Sequence, residues 1–352
     1  MTGQGHQIFI SGLAGLAASC ADQRLQAIAE QVAQPLKVAV CGRRGPGCST
    51  VTRALGQAGL TVATSPDVAD VQVYVVAEVL KPEDRDALTS LQDARQPVVV
   101  VLNKADLTGF GGAGPLAAAQ TRCACFAVLV GLPVEPMVGL LAVAALDDLD
   151  EAFWLALRAL AAHPDGLPAL DGSFDGFLAA ELTVPIPMRL RLLEALDLFG
   201  IALAVAALRR GGTPAQVRVL LRRVSGVDVV VARVIAAGAE ARYQRILDAV
   251  TALEAVAVTD ERISEFLSCD GTVLARMAVA LDTVAASGSE PAGSAGLPSD
   301  DPDAHLRRAL HWLRYGRAGP SGLQRACGTD IARGSLRLWS RAGGLAESGE
   351  CG

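Results

Sequence analysis

The apolar positions of this chain change rhythm near residue 150. Before it, short runs rich in Val, Leu and Ala recur at 36–41 (LKVAVC), 60–64, 71–77 (VQVYVVA), 98–102 (VVVVL) and 126–131 (FAVLVG). Each is apolar nearly throughout, the pattern of a short strand buried on both faces of a parallel sheet. Helical spacing fills the intervals: 11–34, 50–56, 81–95 with Pro82 and acids in its first turn, and 115–121 after a glycine-rich loop at 109–114. From Asp150 onward the pattern is helical. The stretch 188–210 is hydrophobic almost all round, which predicts a helix central to a bundle. Gly211 and Gly212 stop it, and Thr213 with Pro214 reads as the N-cap and first position of the next helix. Two further helical stretches cover 227–257 and 259–285. The chain therefore reads as α/β, a mostly parallel sheet followed by an all-helical domain. The expected division is an α/β domain with an N-terminal helix over 1–150, a helical bundle over 151–286, a flexible linker over 287–303 (SGSEPAGSAGLPSDDPD) and a basic helical tail over 304–344 that packs on the helical domain.

Composition narrows the function classes. A chain of 352 residues, 51% hydrophobic, can bury a large core. Its net charge of −6 argues against wholesale nucleic-acid binding. The dominance of Arg over Lys reads as genome composition bias. Eight cysteines stand at 20, 41, 48, 123, 125, 269, 327 and 351 without a CxxC and far from the four histidines, so no structural metal is expected and reduced cytoplasmic thiols are. No Lys or Arg precedes Arg24, so residues 8–20 lack the flank of a signal segment. The apolar run 198–208 is too short to span a bilayer.

Two segments carry chemistry. Asn103-Lys104-Ala105-Asp106 follows the strand at 98–102. Asn103 is the only Asn in the chain, and Lys104 is one of three Lys, with Lys37 and Lys81. Ligands of open α/β sheets bind outside the carboxyl ends of the strands, where this tetrapeptide falls. Upstream, the strand at 36–41 is followed by Gly42-Arg43-Arg44-Gly45-Pro46-Gly47-Cys48-Ser49 and then by a helix, the order of a phosphate-binding loop. Together the two segments resemble the N-K-x-D and G-x-x-x-x-G-K-[ST] motifs of P-loop GTPases, in a trimmed P-loop NTPase-like sheet. The resemblance implies that Asp106 reads guanine, Asn103 ties its loop to the phosphate loop and the Lys104 stem covers the base. It implies phosphates of GTP or GDP at Gly42, Arg43, Arg44, Gly45, Gly47, Cys48, Ser49 and Thr50, with Mg²⁺ on the Ser49 hydroxyl. A carboxylate suits guanine because that base presents two N–H groups on one edge. The other reading of the tetrapeptide is a polar turn in which Asp106 caps the next helix.

The departures from the family pattern are specific. Cys48 stands where the phosphate-binding Lys belongs, and a thiol cannot replace that charge; Arg43 or Arg44 is the available substitute. No D-x-x-G lies between the loop helix and the strand ending at Glu78, and both switch segments and one strand are missing. Glu78 reads either as a neighbour of a Mg²⁺ site or as an exposed turn acid. Around Val138, Gly139 and Leu140 there is no Ser to touch the base. Cys41 and Cys48 flank the loop, either open to oxidation or buried and inert. The expectation is a degenerate GTP-binding-type protein, regulatory or scaffolding, with weak or no hydrolysis and a protein partner on its helical half. The alternatives are an active atypical GTPase and a membrane-peripheral protein of dynamin-like or Era-like layout. The tail bears eight Arg (307, 308, 314, 317, 325, 333, 337, 341) against Asp330, with Trp312, Tyr315 and Trp339. It reads as a surface for anionic lipid, nucleic acid or an acidic partner, or as a docked hairpin with its aromatics in the core.

Overall fold

The computed structural model describes residues 3–109, 114–258, 260–286, 301–318 and 321–343. The chain packs as two units, one made of residues 1–35 and 235–352, the other of residues 36–234.

The second unit holds the sheet. Its elements are β1 (Lys37–Gly42), α3 (Cys48–Gln57), β2 (Thr61–Val62), β3 (Val71–Val76), α4 (Pro82–Asp93), β4 (Val98–Leu102), α5 (Pro115–Val130), β5 (Val134–Pro136), α6 (Gly139–Leu146), α7 (Glu151–Ala162), α8 (Phe174–Ala179), α9 (Ile186–Arg209) and α10 (Pro214–Ser225). All five strands are parallel, in the order β2-β1-β3-β4-β5. The order reverses direction between β1 and β3, and in open α/β sheets the crevice at such a switch point is where ligands bind. β3 is buried over its whole length, as its unbroken Val-rich run requires. Tyr74, Val76, Val100 and Leu102 join one core with Leu88 of α4 and Ala119, Cys123 and Phe126 of α5.

Residues 126–131 are not a strand. They close α5, which buries Ala119, Cys123 and Phe126 one helical turn apart and leaves Val128 85% and Leu129 55% exposed. A short apolar run fits either element by composition, and here the buried spacing of four and three decides for helix. The fifth strand is β5, three residues long at the sheet edge and ending in Pro136, where a missing donor costs least.

The packing boundary does not fall at residue 150. Phe153, Trp154, Leu157, Phe177, Leu192, Leu196, Ile201, Val205, Val217 and Leu221 belong to the same core as the sheet. Helices α6 to α10 thus complete the sheet unit.

The first unit is all-helical: α1 (Gln4–Cys20), α2 (Gln23–Val32), α12 (Ala239–Ala257), α13 (Glu261–Ser268), α14 (Asp270–Ala286), α15 (Pro302–Ala318) and α16 (Gly322–Arg341); α11 (Val227–Ala237) leads into it. The single helix read over 11–34 is two, separated at Ala21, whose φ is 50°, and restarted by the Asp22 cap. Phe9, Leu13, Leu25 and Val32 pack with Tyr243, Ile246, Leu253, Val279, Trp312 and Ile331. This core draws the N-terminal helices away from the α/β domain to which the sequence reading assigned them. In the tail, Trp312 is fully buried. Asp330, also buried, accepts from the Tyr243 hydroxyl at 2.8 Å and from Arg276 at 2.6 and 3.1 Å. Arg337 and Arg341 both meet Asp270. Of the linker reading, residues 287–300 lie outside the described residues, as do 110–113 of the glycine-rich loop; Pro302 and Asp303 already belong to α15. Among the described residues no helix is long and apolar enough to cross a membrane.

Candidate functional site

The carboxyl ends of β1 and β4 bring the two chemistry-bearing segments together. After β1 the chain turns through Gly42, Gly45 and Gly47, with φ of 149°, 108° and 90°, and enters α3 at Cys48. Gly47 is required twice over: its φ is left-handed, and a Cβ there would lie 2.6 Å from Asn103 Nδ2.

Asn103 is the clasp. It is buried at 3% exposure. Its Nδ2 donates to the Pro46 carbonyl at 2.8 Å, and its Oδ1 accepts from the Gly139 amide at 2.9 Å. One side chain therefore joins the loop after β1 to the loop after β5. That second loop is fully bonded: Met137 N donates to Leu102 O, Ala105 N to Met137 O, and Val138 N to Ser225 O, at 2.8 to 3.1 Å. These bonds commit the backbone of Met137 and Val138 away from the space between the loops.

The space is a cavity of about 230 Å³ lined by Gly47, Thr50, Asn103, Lys104, Asp106, Leu107, Val138, Gly139, Leu140 and Asp197. It has the size of a single heterocycle, below the volume of pockets that enclose drug-sized ligands. Lys104 is exposed and left-handed at φ 57°. Asp106 is 7% exposed, sits in a 3₁₀ turn over Ala105–Leu107 and accepts no hydrogen bond from the side chain or amide of any other described residue. It does not cap α5, whose N-cap is Gly114. Burial, then the neighbouring Asp197, push its carboxyl above the usual 3.8.

The rest of the predicted set does not converge on the cavity. The Arg43 Nε donates at 2.8 Å to Asp84, a fully buried acid in the first turn of α4 that also accepts from the Tyr74 hydroxyl at 3.0 Å and the Lys81 amide at 2.9 Å. This pair holds the Arg43 guanidinium above its ordinary range, with the Asp84 hydrogen bond as the main cause. Arg44 is exposed and forms no ion pair with a described residue. Gly42 and Gly45 line the turn but not the cavity. Ser49 is exposed on the first turn of α3. Cys48 lies inward, its sulfur 3.8 Å from the Arg43 carbonyl, and burial raises its thiol. Burial likewise pushes Cys41 up to about 11. Glu78 is exposed, and its carbonyl accepts from Arg122. Among the described residues no cluster of His, Cys, Asp or Glu is arranged to hold a metal ion.

No protein-family model matches the chain, and no curated protein matches it.

Two residues of the site were missed by the sequence reading. Asp84 looked like an ordinary first-turn acid. Asp197 lies 91 residues beyond Asp106, and in LLEALDLFGIALAVAAL the sequence marks it out no more than its neighbour Glu194.

Proposed function

We propose that this chain is a degenerate guanine-nucleotide-binding protein of P-loop GTPase type, acting as a regulatory or scaffold protein with weak or no hydrolysis. The observation that carries the reading is the Asn103 clasp beside the unbonded Asp106 carboxylate. An Asn bridging a glycine-rich loop to the opposite wall, next to a buried acid that faces a base-sized cavity, has the chemistry to hold a planar ring with two adjacent N–H donors. Backbone amides at the start of α3 supply a weak anion site for phosphate, and Ser49 is the residue available to Mg²⁺.

The charge side of the site supports the absence of turnover. Phosphoryl transfer depends on cations placed against the developing charge. Cys48 offers none, and Arg43 is committed to Asp84. Only Arg44 remains within the loop. Residues 58–70 pass from α3 to β3 through the two-residue β2, with no segment long enough to be ordered by a γ-phosphate and released. Regulation would then act through protein contacts of the helical unit.

The test is titration of nucleotide-stripped protein with GDP, GTP, ATP and XTP, with and without Mg²⁺, beside Asp106→Asn. The expected result is selective binding of guanine nucleotides, lost in the variant, with no Mg²⁺-dependent phosphate release. Release of phosphate would favour the active-enzyme alternative, and absence of all nucleotide binding would sink the reading.

A further inference from the structure

α9 is not one helix. At Asp197 the backbone takes φ 58° and ψ 174°, and the helix breaks into 186–196 and 198–209. That region is nearly reserved for glycine and strains a residue that carries a side chain. The break has a structural use. It lets Gly200 lie against Leu141 of α6, where a Cβ would collide, and Asp197 Oδ1 caps the second half by accepting from the Leu198 amide at 2.6 Å. A bend alone does not call for Asp, because Gly holds this backbone without strain and Gly or Asn serves as a cap nearly as well.

Asp carries a further cost here. It lines the same cavity as Asp106, an acid more than nine-tenths buried and without a hydrogen bond from another described residue. Two carboxylates facing one small, partly apolar space repel each other when both are charged. Asp197 Oδ2, like Asp106, has no partner among the described residues. The combination is unfavourable in the empty protein and favourable once a ligand rich in N–H donors enters.

Guanine carries three such hydrogens on one edge, one on N1 and two on the 2-amino group. A single carboxylate satisfies N1–H and one amino hydrogen, which leaves one hydrogen over. We propose that Asp197 is a second base-recognition residue, its carboxylate accepting the amino hydrogen of guanine that Asp106 leaves unbonded. The inference rests on the guanine-nucleotide reading above. The base site is then closed by a residue from the helices that follow the sheet, which would make it selective for the 2-amino group.

The experiment compares GDP with inosine diphosphate, which lacks that amino group, on the full chain, on Asp197→Gly and on Asp197→Asn. Glycine relieves the backbone strain and serves nearly as well as a cap, so the fold is retained; thermal melting checks this. A hydrogen bond to a charged acceptor is worth about tenfold or more in affinity. The expected result is that Asp197→Gly loses about tenfold for GDP and Asp197→Asn a smaller factor, while inosine diphosphate binding changes little in both. If both variants bind GDP as the parent does, or lose GDP and inosine diphosphate equally, Asp197 is only a helix cap and the inference falls. If the parent binds no guanine nucleotide, the inference falls together with the reading it rests on.

Discussion

Burial disfavours the charged form of Asp106 and outweighs what its own turn and the nearby Lys104 give back. The sign of the consequence is fixed. A carboxyl whose pKa is higher in the folded than in the unfolded chain favours the fold at low pH, and that advantage is lost as pH rises through the folded value. Asp106→Asn is therefore expected to melt higher than the parent at pH 7, with the difference closing below about pH 4, near the unperturbed carboxylate value. Melting curves across that range are the check, and a gap that does not depend on pH would contradict it. The same residue marks how far side chains could be read from the sequence. Asn103 and Asp106 stood out because a chain with one Asn and three Lys placed two of these four residues side by side after a strand. The route of Arg43 to Asp84 was illegible, since a loop arginine points equally well to a phosphate or to a buried acid until α4 is in place.

Elements were legible where one physical signal dominated. β4 could be read from an uninterrupted Val run and β3 from a Val-rich one, and α10 from its cap, where Thr213 and Gln216 form the reciprocal pair of a capping box. They were illegible where two signals agreed on composition and differed only in spacing, as in the second half of α5. Breaks were the hardest. Neither Ala21 nor Asp197 is a glycine, the residue that announces a positive φ. The α15–α16 hairpin makes the matching point for contact. A Cβ on Gly328 would lie 2.6 Å from Gly316 Cα and 2.8 Å from the Trp312 carbonyl, all backbone that cannot step aside. Gly328→Ala should push the two helices apart and destabilise the helical unit by about 1–3 kcal/mol. Denaturant unfolding followed by Trp312 fluorescence, in a background where Trp154 and Trp339 are replaced by Phe, reads this, and a stabilised variant would refute the close approach.

On the scale of the whole molecule, the change of pattern at residue 150 marked the end of the strands, not the end of a core. The sequence carries the period of each helix but not the identity of the surface that its apolar stripe meets. That is why the helical stretches were legible as helices and not as members of one unit or the other. The helical unit has its own pH response. His6 is held down to about 4, chiefly by burial and then by Arg242 and Arg245, and its Nε2 has no hydrogen-bond partner among the described residues. A histidine whose pKa is lowered by folding supports the fold above its unfolded value of 6.5, and that support is lost as pH falls toward 4. The helical unit should lose stability across this interval, and His6→Gln should flatten the dependence; identical pH profiles for parent and variant would contradict it.

The two-part make-up of the helical unit sets an order of events during synthesis. Residues 1–35 leave the ribosome before the sheet unit, yet the surface that buries Phe9, Leu13 and Leu25 is not made until after residue 235. The sheet unit, continuous over 36–234, can close in the meantime. Residues 36–234 expressed alone should fold cooperatively, and residues 1–35 alone should not. While translation proceeds, the nascent chain trails two amphipathic helices with nothing to dock on, the sort of apolar segment that chaperones hold and that aggregates when they do not. These helices are made before the sheet unit and buried after it.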